Sequence, residues 1–181
     1  FTMQTRHQDR SAYFEETATS CRNYYLPYIE QHTSLKFGRK CRVMEVGCGI
    51  GGILSIFAAM GATVTGIDIH KPSIETAKTL FAERGLKGTF ICSDIFDYSD
   101  TQPYDLIILH DALEHIPEKE RLMLHLKSFL KADGLLYLGF PAWQMPFGGH
   151  QQMAKNRIIA NCPYIHLLPR PLFRFVFRAC G

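Results

Sequence analysis

The sequence predicts a doubly wound α/β fold built on a mainly parallel sheet. Apolar runs of strand length alternate with helical patterns through the middle of the chain, the signature of a sheet covered by helices on both faces. One run, Val43-Met44-Glu45-Val46, passes directly into the glycine-dense turn Gly47-Cys48-Gly49-Ile50-Gly51-Gly52. Glycines at alternate positions let backbone approach a ligand where a Cβ would clash, and the apolar run Ile53 to Met60 then opens a helix.

The elements follow in order. Strands are expected at Arg42 to Val46, Ala62 to Ile67, Gly88 to Cys92, Leu106 to Leu109 and Leu135 to Phe140. Helices are expected at Gly52 to Met60, Ser73 to Arg84 and Lys119 to Lys131. Pro72 stands just inside the start of the second helix, and Gly85 and Gly134 stand where helices should end. Ahead of the sheet, Asp9 to His32 reads as a helical cap rich in Tyr13, Phe14, Tyr24, Tyr25 and Tyr28, packed on the sheet in preference to covering a ligand.

With 181 residues, the chain is expected to be one domain: a helical cap (1–35), a cofactor-binding core (36–141), and a substrate loop with a C-terminal helical segment (142–181). Its net charge of +3 is too small to argue for a nucleic-acid partner, and no apolar stretch is long enough to insert stably in a membrane. The six cysteines form no C-x-x-C pair, so neither a disulfide framework nor a zinc site is suggested and the expected location is cytoplasmic. The start at Phe1 and the stop at Gly181 suggest a piece of a longer polypeptide.

The glycine turn fits two cofactor sites. Gly47, Gly49 and Gly52 match the G-x-G-x-x-G of dinucleotide sites, whereas Glu45, Gly47, Gly49 and Gly51 match an acidic-x-G-x-G-x-G loop. Asp68, at the end of the second strand, suits the ribose hydroxyls in either case. Glu45 discriminates, because a carboxylate there would repel a pyrophosphate but attract a sulfonium and an ammonium. Asp94, after the third strand, is placed to accept from an adenine amino group, with Ile95 against the ring.

From Glu45 through Asp68 and Asp94 to Tyr104-Asp105-Leu106-Ile107-Ile108-Leu109, the order of these pieces resembles the class I S-adenosylmethionine (SAM)-dependent methyltransferases. The resemblance covers roughly 42–141. It implies a Rossmann-like sheet of order 3-2-1-4-5, which in this family usually finishes with a sixth strand and an antiparallel seventh; nothing after Phe140 alternates enough to supply both, so that closing hairpin is expected to be missing or to lie beyond Gly181. It also implies SAM as cofactor, with Glu45, Gly47, Gly49 and Gly51 around the methionine moiety. Asp68 and Ile69 would meet ribose and adenine, Asp94 and Ile95 adenine, and His110 the methionine portion and the methyl group.

Methyl transfer mainly requires alignment and the removal of a proton. His150 is the preferred base, in a glycine- and aromatic-rich loop after the fifth strand, and His110 is the second catalytic candidate. The i, i+3, i+4 spacing of Asp111, Glu114 and His115 would place a carboxylate–imidazole set on one helical face, with His150 to complete a metal site. A hydrogen-bonded turn shaping the pocket is the preferred reading, so no metal is expected. His110-Asp111-Ala112-Leu113 departs from the Asp/Asn-Pro-Pro-aromatic element of base-amino methyltransferases. Arg170, Arg174 and Arg178 recur every four residues and are expected to form the solvated stripe of a capping helix. The function expected is methylation of a small-molecule or lipid-like acceptor, at oxygen before nitrogen or carbon. The alternative is a SAM-binding regulatory or scaffold module without turnover.

Overall fold

A computed structural model describes residues 9–142, 144–146 and 156–180. These fall in two compact units, Phe1–Gly139 and Phe140–Gly181. The first contains five strands, β1 (Arg42–Val46), β2 (Thr63–Asp68), β3 (Thr89–Cys92), β4 (Tyr104–His110) and β5 (Leu130–Gly139). Every pairing is parallel, in the order β3-β2-β1-β4-β5, as expected. β1 lies at the centre, and its residues Val43, Met44, Glu45 and Val46 are all buried.

Four helical stretches cover the sheet. α1 (Arg10–Ser20) runs through a five-residue π turn, Cys21–Tyr25, into α2 (Leu26–His32). α3 (Gly52–Ala59) and α4 (Lys71–Glu83) follow β1 and β2, and α5 (Lys119–Phe129) precedes β5. Two apolar cores result, one on each sheet face: Phe14, Leu54, Phe57, Ile74 and Phe81 pack with Val43 and Leu106, while Leu122, Leu126 and Phe129 pack with Met44, Ile107 and Leu109. Alternation along β1 and β4 sends successive side chains to opposite cores, as a strand covered on both faces requires.

Pro72 lies in the first turn of α4, and Gly85, at φ 64°, follows the capping residue Arg84. Gly134 does not end a helix. α5 stops at Phe129 and β5 begins at Leu130, with a register shift between the Tyr104↔Leu130 and Leu106↔Leu135 pairings. The extra residues bulge from the ladder there, and a Cβ on Gly134 would come within 2.8 Å of the Tyr104 carbonyl oxygen. Among the described residues no strand follows Gly139, and no helix is long and apolar enough to cross a membrane. The second unit contains α6 (Arg157–Asn161), a 3₁₀ turn at Ile165–Leu167 and α7 (Arg170–Cys180), the helix anticipated from the arginine spacing.

The aromatic cap packs where α1 crosses α3. Phe14 is buried with its ring edge on Phe81, and the Thr17 hydroxyl donates to the carbonyls of Tyr13 and Phe14. Two arginines tie this cap to α4: Arg10 reaches the Thr76 hydroxyl, and Arg84 pairs with Glu15 at 2.8 Å. The crossing depends on Gly52, whose added Cβ would lie 2.6 Å from the Phe14 carbonyl oxygen. We expect Gly52→Ala to destabilise the protein by about 1–3 kcal/mol through overpacking, read as a lowered midpoint of thermal unfolding. An unchanged midpoint would show that the two helices do not need this close approach.

Candidate functional site

The site lies at the carboxyl ends of β1, β2, β3 and β4, where a doubly wound sheet opens a crevice beside its central strand. Between β1 and α3 the chain turns through Gly47, Gly49 and Gly51, which have φ of 74°, 51° and 83°. These left-handed values are open to glycine and costly for other residues. Gly52 is different: it is the first residue of α3 and serves the helix crossing. Gly51 is the glycine that only the acidic-x-G-x-G-x-G pattern specifies, and its left-handed backbone is what requires a glycine there.

Asp68 ends β2 and braces this loop. One carboxylate oxygen accepts from the Gly49 N–H and the other from the His70 N–H, both at 2.8 Å. Asp94 caps the 3₁₀ turn Ile95–Asp97 after β3 by accepting from the Phe96 N–H at 2.9 Å. Ile95 is buried beneath that turn, whereas Ile69 is 76% exposed at the mouth of the crevice. Asp97 ends the turn and is exposed.

Two cavities meet at Gly47 and Asp111, which line both. The larger, about 740 Å³, is bounded by Asp68, Ile69, Asp94 and Ile95 on one side and by the segment from Ala112 to Arg121 on the other. The smaller, about 130 Å³, is bounded by Glu45, Gly47, Gly49 and His110, with Tyr13 and Thr17 reaching in from α1. All the described cofactor-site candidates except Gly51 therefore line one of the two cavities. Gly51 instead faces the Phe90 and Phe81 rings, so it shapes the turn from behind.

Glu45 is 2% exposed, and its Oε2 has no hydrogen-bond partner. Burial, reinforced by the negative charge of Asp68, pushes its carboxyl well above the usual range, against a backbone N–H from Leu54 that favours the anion. An incompletely satisfied carboxyl in a cavity wall is suited to a ligand that brings positive charge and donors. The same burial and the same two carboxylates raise the Cys48 thiol, making it an inert packing group.

His110 ends β4 beneath a tilted Tyr25 ring, with centroids 4.6 Å apart, and its Nδ1 lies 3.4 Å from Asp111 Oδ2. Gly139 of β5 leaves room for it, because a Cβ there would stand 2.5 Å from the imidazole. Asp111 takes a left-handed conformation, φ 51°, and its N–H donates to the Gly139 carbonyl. This tight turn brings one aspartate to the junction of both cavities.

The helical face required by the spacing of Asp111, Glu114 and His115 does not form. Only Leu113–His115 is helical, as a 3₁₀ turn, because Pro117 holds Ile116 extended at φ −93° and ψ 118°. His115 lines the larger cavity and Glu114 Oε2 is buried without a partner, yet among the described residues no three His, Cys, Asp or Glu side chains are grouped to hold a metal. His150, with its loop, lies outside the described residues. The sequence reading missed Tyr13 and Thr17 as lining groups, although their i, i+4 spacing places both on one face of α1. It also missed Arg121, which reaches the larger cavity from α5.

Comparison with known proteins agrees with this geometry. A family model described as "Methyltransferase domain" matches residues 38–172. The ubiquinone biosynthesis O-methyltransferase of Actinobacillus pleuropneumoniae serotype 5b (strain L20) is 39% identical over 119 residues, covering 62% of this chain and 50% of that protein. The enzyme of the same name from Coxiella burnetii (strain Dugway 5J108-111) is 38% identical over 114 residues, covering 62% and 47%. The chain spans about half the length of the curated relatives it matches.

Among solved structures, a SAM-dependent methyltransferase from Clostridium acetobutylicum ATCC 824 superposes with a TM-score of 0.59 at 17% identity, over 71% of this chain and 51% of that one. A plantazolicin methyltransferase in complex with a substrate analogue and S-adenosylhomocysteine (SAH) also gives 0.59, at 22% identity, over 75% and 50%. Both share the fold. With a family match over more than half its length and the acidic glycine loop at the crevice of a 3-2-1-4-5 sheet, the chain belongs to the class I SAM-dependent methyltransferases.

Proposed function

We propose that the chain binds SAM and directs its methyl group to an oxygen nucleophile on a small-molecule or lipid-like acceptor. The observation that carries this reading is Glu45, a buried and incompletely satisfied carboxyl in the wall of the smaller cavity. A pyrophosphate is repelled there, whereas an ammonium next to a sulfonium supplies the missing charge. Gly47, Gly49 and Gly51 let the loop follow the methionine portion. Asp68 accepts from ribose, Ile69 and Ile95 take the adenine faces, and Asp94 accepts from the adenine amino group. The O-methyltransferase relatives support oxygen as the acceptor atom.

When bound, SAM supplies a methyl group activated by positive sulfur. The residues hold the donor rigid, keep bulk water from the smaller cavity and receive the proton released by the acceptor hydroxyl. His110 lines the smaller cavity beside Asp111, where the two cavities meet, and is steadied by Asp111 and Tyr25. His150 is assigned as the principal base on its place in the sequence, in the loop after β5. The mixed acidic lining of the larger cavity, with Asp68, Asp94, Asp97 and Asp111, disfavours a nucleic-acid backbone. Free thiols at Cys21, Cys41, Cys48 and Cys92 fit a reducing compartment, and we place the protein in the cytoplasm.

Titration calorimetry should show binding of SAM and of SAH without binding of NADH; tight NADH binding alone would overturn the reading. Glu45→Gln should weaken SAH binding about tenfold or more, since a charge-assisted contact is lost. The same change should raise the thermal midpoint of the ligand-free protein at neutral pH by a few degrees, roughly what relief of a kcal/mol or so brings. The sign follows from linkage: a carboxyl whose pKa is raised in the folded state loses stability as pH rises from the ordinary glutamate range through the folded value, and glutamine removes that decline. A lower midpoint with unchanged affinity would contradict the role given to Glu45. In transfer of labelled methyl from SAM to a metabolite extract, His150→Ala should abolish turnover and His110→Ala reduce it about 10²-fold or more, with SAM affinity kept in the first. Full turnover in His150→Ala would remove it from the mechanism.

A further inference from the structure

We propose that His125 and Arg121 of α5 are positioning residues that set the preference of this site for adenine, by gripping the turn that carries Asp94 and Ile95. The inference rests on the SAM reading of the larger cavity and adds a determinant outside the strand-end motifs. The two residues are four apart and share one face of α5. His125 Nε2 lies 2.8 Å from the carbonyl oxygen of Ile95, thirty residues away in sequence. A carbonyl only accepts, so Nε2 carries the proton, and further protonation of the ring leaves this donor in place.

Arg121 places its guanidinium 4.2 Å from the centroid of the Phe96 ring, and the His125 ring stands 5.7 Å from the same ring. Phe96 is thereby held by two side chains of α5, while His125 is backed by Phe129 at 4.8 Å. The gripped turn is short. It comprises Ile95–Asp97, and inside it the Phe96 N–H is the group that fixes the Asp94 carboxylate. A pull on the Ile95 carbonyl and on the Phe96 ring therefore sets where Asp94 Oδ1 points. His125 does not line the cavity, so it acts through Ile95; Arg121 lines the cavity as well as holding Phe96.

An aspartate held in one orientation favours a base with an amino group at its six position and opposes one with a carbonyl there. The test compares SAH with S-inosylhomocysteine, in which hypoxanthine replaces adenine, by calorimetry on the full chain. The unaltered protein should prefer SAH. In His125→Ala the preference should fall roughly fivefold, as for loss of one hydrogen bond, chiefly through weaker SAH binding, while His125→Gln, which keeps a donor at similar reach, should restore it. Arg121→Ala, at an exposed helix position, should lower the preference in the same direction and provides the test if His125→Ala fails to fold. An unaltered preference in folded His125→Ala and Arg121→Ala would overturn the assignment while leaving the SAM reading intact. Failure of the unaltered chain to bind SAH would overturn the reading of the cavity and the assignment with it.

Discussion

The structure is organised around a carboxyl group buried at the end of its central strand without full compensation. Glu45 sits in β1, between β2 and β4 and beneath two layers of helix, where a charged side chain is expensive. Everything nearby is arranged to leave room in front of it. The left-handed glycines bend the chain away, Asp68 braces the bend from β2, and α1 closes the far side with Tyr13 and Thr17. On the proposed reading, the partner that Glu45 Oε2 lacks is the positive end of SAM.

The same logic orders the rest of the crevice. A parallel sheet delivers one acid from each of three neighbouring strand ends: Glu45 from β1, Asp68 just at the end of β2 and Asp94 two residues past β3. They are not equivalent. Glu45 is enclosed and its carboxyl is pushed above the usual range, Asp68 is committed to two backbone N–H groups, and Asp94 stands at a turn whose Ile95 carbonyl meets His125 of α5. On the proposed reading, three carboxyls in three environments meet the cationic end, the hydroxylated middle and the flat base of one elongated ligand.

Much of this is written locally in the sequence. The β1–loop–α3 unit is legible because a short apolar strand, alternate glycines and a helix start are nearest neighbours, and the acids at 68 and 94 are legible because each closes a strand. Features set by distant partners are not. Gly134 looks like a helix stop, but the Tyr104↔Leu130 pairing draws it into β5. The Asp111, Glu114 and His115 spacing suggests one helical face, and the counter-signal, Pro117, acts by making Ile116 extended. The contact from His125 to Ile95 spans thirty residues and leaves no periodic trace. The role of Gly52 is likewise visible only once α1 is laid across it.

The central claim is that the positive end of the ligand meets the buried, incompletely satisfied carboxyl of Glu45 and offsets the burial that pushes its pKa up. Calorimetry of SAH binding at neutral pH, in buffers that differ in ionisation enthalpy, measures this directly. The account predicts net proton release on SAH binding, the direction that lowering a raised carboxyl pKa requires, and loss of that release in Glu45→Gln. Binding without proton release by the unaltered protein would contradict it.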